Sequence, residues 1–165
     1  MGPVPDSPRP DTLLAGRYRL VRQRGIGGMG EVWEAEDTVL ERPVAVKLVV
    51  GSRRHDPEVL ARFEREARTG ARLVHPGLAT VYDFGDAEEG AFLVMELLSG
   101  ETLAERLRRG PLPAPEAASV VADAAEALAV AHVAGVTHRD VKPSNLMLTD
   151  DGTKVMDFGI ASDGG

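Results

Sequence analysis

His138-Arg139-Asp140-Val141-Lys142-Pro143-Ser144-Asn145 places a carboxylic acid, an ammonium and an amide within one short loop, a combination far more specific than any of its members. Twelve residues beyond Asn145 comes a second candidate carboxylate, in Asp157-Phe158-Gly159. Between the two, Asp150-Asp151-Gly152 reads as a turn and 153–156 as a last short strand. Upstream, the pattern predicts a long helix over 115–134, closed by Gly135. Its polar residues Glu116, Ser119, Asp123 and Glu126 recur at steps of three and four and leave most of the circumference apolar. Such a helix expects neighbours on several sides.

Further toward the N-terminus a short helix is expected near 102–109, and a second lobe begins near Gly100. Before it the pattern is strand-like: Tyr18, Leu20 and Val21, then Val32-Trp33-Glu34-Ala35, then Val44-Ala45-Val46-Lys47-Leu48-Val49-Val50. Two more strands are expected near 79–84 and 91–96. Asp56 before Pro57 is an N-cap with proline at the first helical position, opening a helix to about Val74. Leu60, Phe63, Ala67, Ala71 and Val74 form its buried stripe.

Gly25-Ile26-Gly27-Gly28-Met29-Gly30 fits Gly-x-Gly-x-x-Gly, where missing side chains let backbone N–H groups approach phosphate oxygens. A dinucleotide-binding turn has the same pattern but opens a helix, whereas Glu31-Val32-Trp33-Glu34-Ala35 continues as strand. A glycine-rich hairpin without a ligand is the third reading. Lys47 ends an apolar strand, where its burial requires a phosphate or a carboxylate nearby. Glu66, three residues after Phe63, can face inward and hold that ammonium. Taken singly, each of the two reads more simply as a solvated surface charge.

The order of glycine loop, strand lysine, helix glutamate, acidic loop and Asp-Phe-Gly resembles that of the protein kinase family over essentially all of 17–161. RFEREA at 62–67, LVHP at 73–76, VMELLSGETL at 94–103 and DFGIA at 157–161 are similar to bacterial eukaryotic-type (Hanks-type) serine/threonine kinases. Lys142, two residues after Asp140, is similar to the serine/threonine branch. The resemblance implies an α+β, protein-kinase-like two-lobe fold: a flexible proline-rich tail over 1–16, a five-stranded antiparallel N-lobe with one helix over 17–99, and a partial helical C-lobe over 100–165.

It also implies transfer of the ATP γ-phosphoryl group to serine and threonine hydroxyls of proteins, with Mg2+ as the metal. Asp140 would orient the acceptor hydroxyl and take its proton, and Lys142 would neutralise charge on the transferring group. Asn145 and Asp157 would hold two magnesium ions, and Lys47, paired with Glu66, would bind the α- and β-phosphates. Val32, Ala45 and Met147 would sandwich the adenine, with Met95 at the rear and backbone groups of Glu96 and Leu98 on its edge. Arg139 resembles the arginine that pairs with a phosphorylated activation loop. His138 and Phe158 read as packing residues.

The chain departs from the family pattern in three places. Arg24 stands before the first loop glycine where an apolar residue is usual, so its aliphatic stem is left to cover adenine. Gly70 lies one turn beyond Glu66, where a larger side chain usually couples this helix to the Asp-Phe-Gly region. After Ser162-Asp163-Gly164-Gly165 there is no activation segment and no later helix, so the chain is expected to be a kinase catalytic domain truncated after Asp-Phe-Gly. It should then bind ATP-magnesium weakly and phosphorylate proteins inefficiently. The alternative is an inactive nucleotide-binding module acting through protein partners, which would have no need of Asp140.

Composition narrows the function classes. The 165 residues, 43% hydrophobic and 27% charged, suit a soluble globular chain. A net charge of −7 gives no attraction to phosphate backbones, so nucleic acid is not an expected partner. With no cysteine there is neither a disulfide nor a thiolate zinc site, which suits a cytoplasmic location. Pro3, Pro5, Pro8 and Pro10 without an apolar core argue against a signal peptide. Asp123, Glu126 and His132 interrupt the apolar stretch 117–136, so no membrane anchor is visible.

Overall fold

The computed structural model describes residues 7–27 and 30–157; Gly28 and Met29 of the glycine loop, and Phe158 and Gly159, lie outside the described residues. The chain divides into two compact units. One runs to Ala67 and adds Val81–Leu97; the other takes Arg68–Thr80 and the chain from Leu98 onward. Residues 68–80, which the sequence placed in the first lobe, therefore group with the second.

The first unit is a six-stranded antiparallel sheet in the order β1-β2-β3-β4-β6-β5. Its strands are β1 (Leu13–Leu14), β2 (Tyr18–Gly27), β3 (Gly30–Asp37), β4 (Arg42–Leu48), β5 (Val81–Ala87) and β6 (Gly90–Glu96), with helix α1 (Pro57–Arg72) between β4 and β5. Strand alternation gives the sheet two faces with different occupants. On one face Trp33, Val44, Val46, Leu48, Phe92 and Val94 form a core with Leu14, Tyr18 and Leu20. On the other, Leu93 joins Val49 and Ala91 in packing on Phe63 and Ala67 of α1. Lys47 sits opposite both Val32 and Leu93, which puts it on the α1 face.

The sixth strand comes from residues expected to be a flexible tail. Leu13 and Leu14 pair with Arg19 and Tyr18, and Leu14 is wholly buried. Ala15 (φ 48°) and Gly16 (φ 67°) make the reversal with left-handed backbone, closed by Arg17 N–H donating to the Leu14 carbonyl at 2.9 Å. The proline-dense stretch ends at Pro10. Beyond it, apolar Leu14 has a core to enter, and the free edge of β2 has backbone groups to satisfy.

Helix α1 begins as expected, with Asp56 Oδ1 accepting the N–H groups of Glu58 at 2.9 Å and Val59 at 3.4 Å. It ends at Arg72, short of Val74. Val74 is 79% exposed, Ala71 is exposed as well, and Leu73 is buried instead, which corrects the expected stripe. Once Leu73 N–H bonds back to the Gly70 carbonyl and the helix stops, the helical spacing no longer decides which side chain turns inward.

The second unit holds the short sheet β7 (Glu101–Thr102), β8 (Leu146–Thr149) and β9 (Gly152–Val155), with helices α2 (Leu103–Leu107) and α3 (Ala114–Val133). A reciprocal capping box between Thr102 and Glu105 starts α2. Helix α3 buries Ala124, Ala127 and Ala131 against Leu73, Leu78, Leu146 and Val155. Asp123, read as part of a polar stripe, accepts the Thr153 N–H at 3.0 Å and so ties α3 to β9. Val121 and Val133 of the same helix are exposed. Gly135, at φ 77°, closes α3 as expected. Among the described residues no helix is long and apolar enough to cross a membrane.

Candidate active site

Each unit carries its own part of the predicted chemistry. In the first, β2 and β3 form the glycine-rich hairpin, whose last described pair is Gly27 and Gly30. Gly30 is required by packing: at φ 152° a Cβ would stand 2.0 Å from the Leu48 carbonyl oxygen. Gly25 is not, because a Cβ there would meet nothing within 4 Å. The bare backbone at Gly25 leaves open space beside the strand, as a phosphate-covering loop needs.

Lys47 and Glu66 are 8% and 4% exposed, and Lys47 Nζ lies 3.2 Å from Glu66 Oε1 and 3.5 Å from Oε2. The surface-charge reading of these two residues therefore gives way to a buried ion pair. Val32 shares the face of Lys47 across β3 and β4, and Ala45 shares it with Met95 across β4 and β6. Glu96 ends β6, half-buried. Arg24, expected to lay its stem over adenine, has its Nε 3.4 Å from Glu34 Oε2, a carboxylate that also holds Arg22 at 2.8 Å. The Arg22 hydrogen bond keeps the Glu34 carboxyl below its usual range.

The second unit assembles the acidic loop. Asn145 Nδ2 donates to the Asp140 carbonyl at 2.9 Å and to Asp140 Oδ2 at 3.2 Å, and Lys142 Nζ reaches the same Oδ2 at 3.2 Å. Pro143–Asn145 form a single 3-10 turn closed by Asn145 N–H on the Lys142 carbonyl at 2.9 Å, which brings the amide back to Asp140. Arg139 (φ 68°) and Asp157 (φ 59°) both have left-handed backbone, a conformation that non-glycine residues adopt at a cost and that clusters at functional sites.

Two ties between the loop and Met156, the residue before Asp157, were invisible to motif reading. His138, taken as a packing residue, is buried; its Nε2 bonds the Met156 carbonyl at 2.6 Å while its Nδ1 accepts the Asp140 N–H at 3.1 Å. Acceptance at Nδ1 makes Nε2 the protonated nitrogen. Met156 N–H in turn donates to the Asn145 carbonyl at 2.9 Å. Asp140, Asn145 and the residue preceding Asp157 are thus held by one hydrogen-bonded frame. The only signal in the sequence was His138 itself, two residues before the acid.

Met147 on β8, half-buried opposite Thr102 and Lys154, and Leu98 belong to the second unit, whereas Val32, Ala45 and Met95 belong to the first. Among the described residues no group of three or more His, Cys, Asp or Glu side chains could hold a metal ion. The Asn145 amide oxygen and the Asp157 carboxylate are hard donors of the kind magnesium takes sparingly, completing its shell with water and substrate phosphate. The residues present fit that ion.

The protein kinase domain family model matches residues 18–164. The serine/threonine-protein kinase PknA of Mycobacterium tuberculosis is 49% identical over 162 residues, covering 94% of this chain and 38% of that protein. PknE of Mycobacterium bovis is 49% identical over 149 residues, 89% of this chain and 26% of that protein. The chain thus spans well under half the length of these curated relatives. The crystal structure of the M. tuberculosis PknI kinase domain superposes with a TM-score of 0.82 at 34% identity, covering 94% of this chain and 63% of that one.

Proposed function

The chain belongs to the protein kinase family, and from that premise we propose that it transfers the γ-phosphoryl group of ATP to serine and threonine hydroxyls of proteins. One observation carries the reading: Asp140 Oδ2 is shared by Asn145 Nδ2 and Lys142 Nζ. That leaves Oδ1 to receive a proton.

In the proposed step the acceptor oxygen bonds to the γ-phosphorus as the bond to the ADP oxygen breaks, and the hydroxyl proton passes to Asp140 Oδ1. Lys142, beside that carboxylate, offsets charge on the group in transfer. Lys47 holds the α- and β-phosphates, and Glu66 keeps its ammonium in place. Gly25, Ile26, Gly27 and Gly30 cover the phosphates with backbone N–H groups. In the first unit Val32 and Ala45 take the adenine, with Met95 at its rear and the Glu96 backbone on its edge. Asn145 and Asp157 would hold magnesium, which would supply positive charge to offset that of the phosphates. The partners are protein substrates rather than nucleic acid, which the net charge of −7 supports, and the setting is the cytoplasm.

The test is incubation with ATP labelled at the γ-phosphate and a generic protein substrate, followed by identification of the labelled amino acids. Label on serine and threonine is expected. Binding of ATP without any transfer would leave only a nucleotide-binding module.

A further inference from the structure

Directly after Gly30, on the face of the sheet opposite Lys47, Glu31 is wholly buried. Its Oε2 accepts the Trp33 indole N–H at 2.8 Å, and its Oε1 accepts the hydroxyl of Ser7. Among the described residues no cation pairs with it. A buried carboxylate without a cation depends on every hydrogen bond it keeps.

The Ser7 partner belongs to a segment laid along β2. Asp11 N–H donates to the Leu20 carbonyl at 2.7 Å, Leu20 N–H donates to the Thr12 carbonyl at 2.9 Å, and Leu14 is sunk in the core. Glu31 pairs across the hairpin with Ile26 and across the sheet with Leu48. The segment is therefore fastened at one end to the sheet and at the other to the first residue after the glycine loop.

We propose that Glu31 is a positioning residue for the nucleotide-covering hairpin and that the Ser7 hydroxyl is the latch that keeps it seated. With Ser7 engaged, the carboxylate stays in the core and Gly30 stays against the Leu48 carbonyl. Without the hydroxyl, or with a second negative charge at position 7, the carboxylate is driven toward water and the hairpin lifts from the phosphates. This inference rests on the nucleotide-binding reading above, so one readout is independent of nucleotide.

The experiment uses the full chain as wild type, Ser7→Ala, Ser7→Glu and the conservative Ser7→Thr, because Glu31 variants are liable to misfold. Amide hydrogen exchange over 25–33 is measured without nucleotide, and calorimetry gives the affinities for ATP-magnesium and for adenosine. Ser7→Ala should speed exchange and weaken ATP about fivefold, as loss of one hydrogen bond to a carboxylate allows. Ser7→Glu should exceed it, Ser7→Thr should match wild type, and adenosine affinity should not move. Unchanged exchange in Ser7→Ala and Ser7→Glu, or equal weakening of ATP and adenosine, would overturn the latch while wild-type ATP binding leaves the nucleotide reading intact. Failure of the wild type to bind ATP would overturn both.

Discussion

Glu66 Oε1 lies 3.2 Å from Lys47 Nζ, an ion pair from helix α1 to strand β4 with both side chains almost fully buried. Burial makes the pair asymmetric in its consequences. Removing one partner takes from the other the opposite charge that lies 3.2 Å away, whereas removing both avoids that mismatch.

Lys47→Met should therefore lower stability by about 3 kcal/mol, with much of the loss recovered in Lys47→Met with Glu66→Gln. ATP-magnesium affinity should stay low in both, since both lack the cation that faces the phosphates. Thermal melts and calorimetry on the two proteins check this. Recovery of affinity in the double variant would assign Lys47 to folding alone.

Asp140→Asn should reduce phosphoryl transfer by about 10²–10⁴-fold, the range for one proton acceptor. Nucleotide affinity should hold, because the Asn145 bond to the Asp140 backbone carbonyl survives the substitution. Labelled-phosphate transfer and calorimetry read the two quantities separately.

His138→Phe keeps an aromatic ring, though a larger one, but removes the bonds to the Met156 carbonyl and the Asp140 N–H. Stability should fall by about 1–3 kcal/mol, the usual consequence of leaving a buried polar group unpaired. Transfer should fall with it, since Asp157 follows Met156 directly. Melting temperature and turnover, measured together, would show a purely local packing role if only the former changed.

Acid should weaken the first unit through Asp37, whose side chain is 1% exposed and bound by Arg17 at 2.8 Å. The Arg17 hydrogen bond, helped by the N–H groups of Leu40 and Val39, holds the carboxyl at about 2, well below its usual range. A carboxyl more acidic in the folded than in the unfolded chain contributes stability above about pH 4 and loses it as the pH falls toward 2. Melts between pH 2 and 6 should show that slope, and Arg17→Met should flatten it.

Membership of the protein kinase family was legible in local sequence. The resemblance that proposes roles for Asp140, Lys142, Asn145 and Asp157 rests on short motifs, and Asp56, Thr102 and Gly135 are helix signals that act within one turn of themselves. What local sequence could not settle was anything that depends on which distant segment arrives. Leu14 became a strand because β2 had a free edge, and Leu73 displaced Val74 in the core because the helix stopped at Arg72. His138 proved to be a strut only when β9 delivered the Met156 carbonyl to it. Lys47 and Glu66 read singly as surface charges because the desolvation that binds them exists only after α1 packs on the sheet. Residue type and spacing determine which groups are available, but burial and pairing arise from contacts between segments far apart in the chain, and only the folded core supplies those.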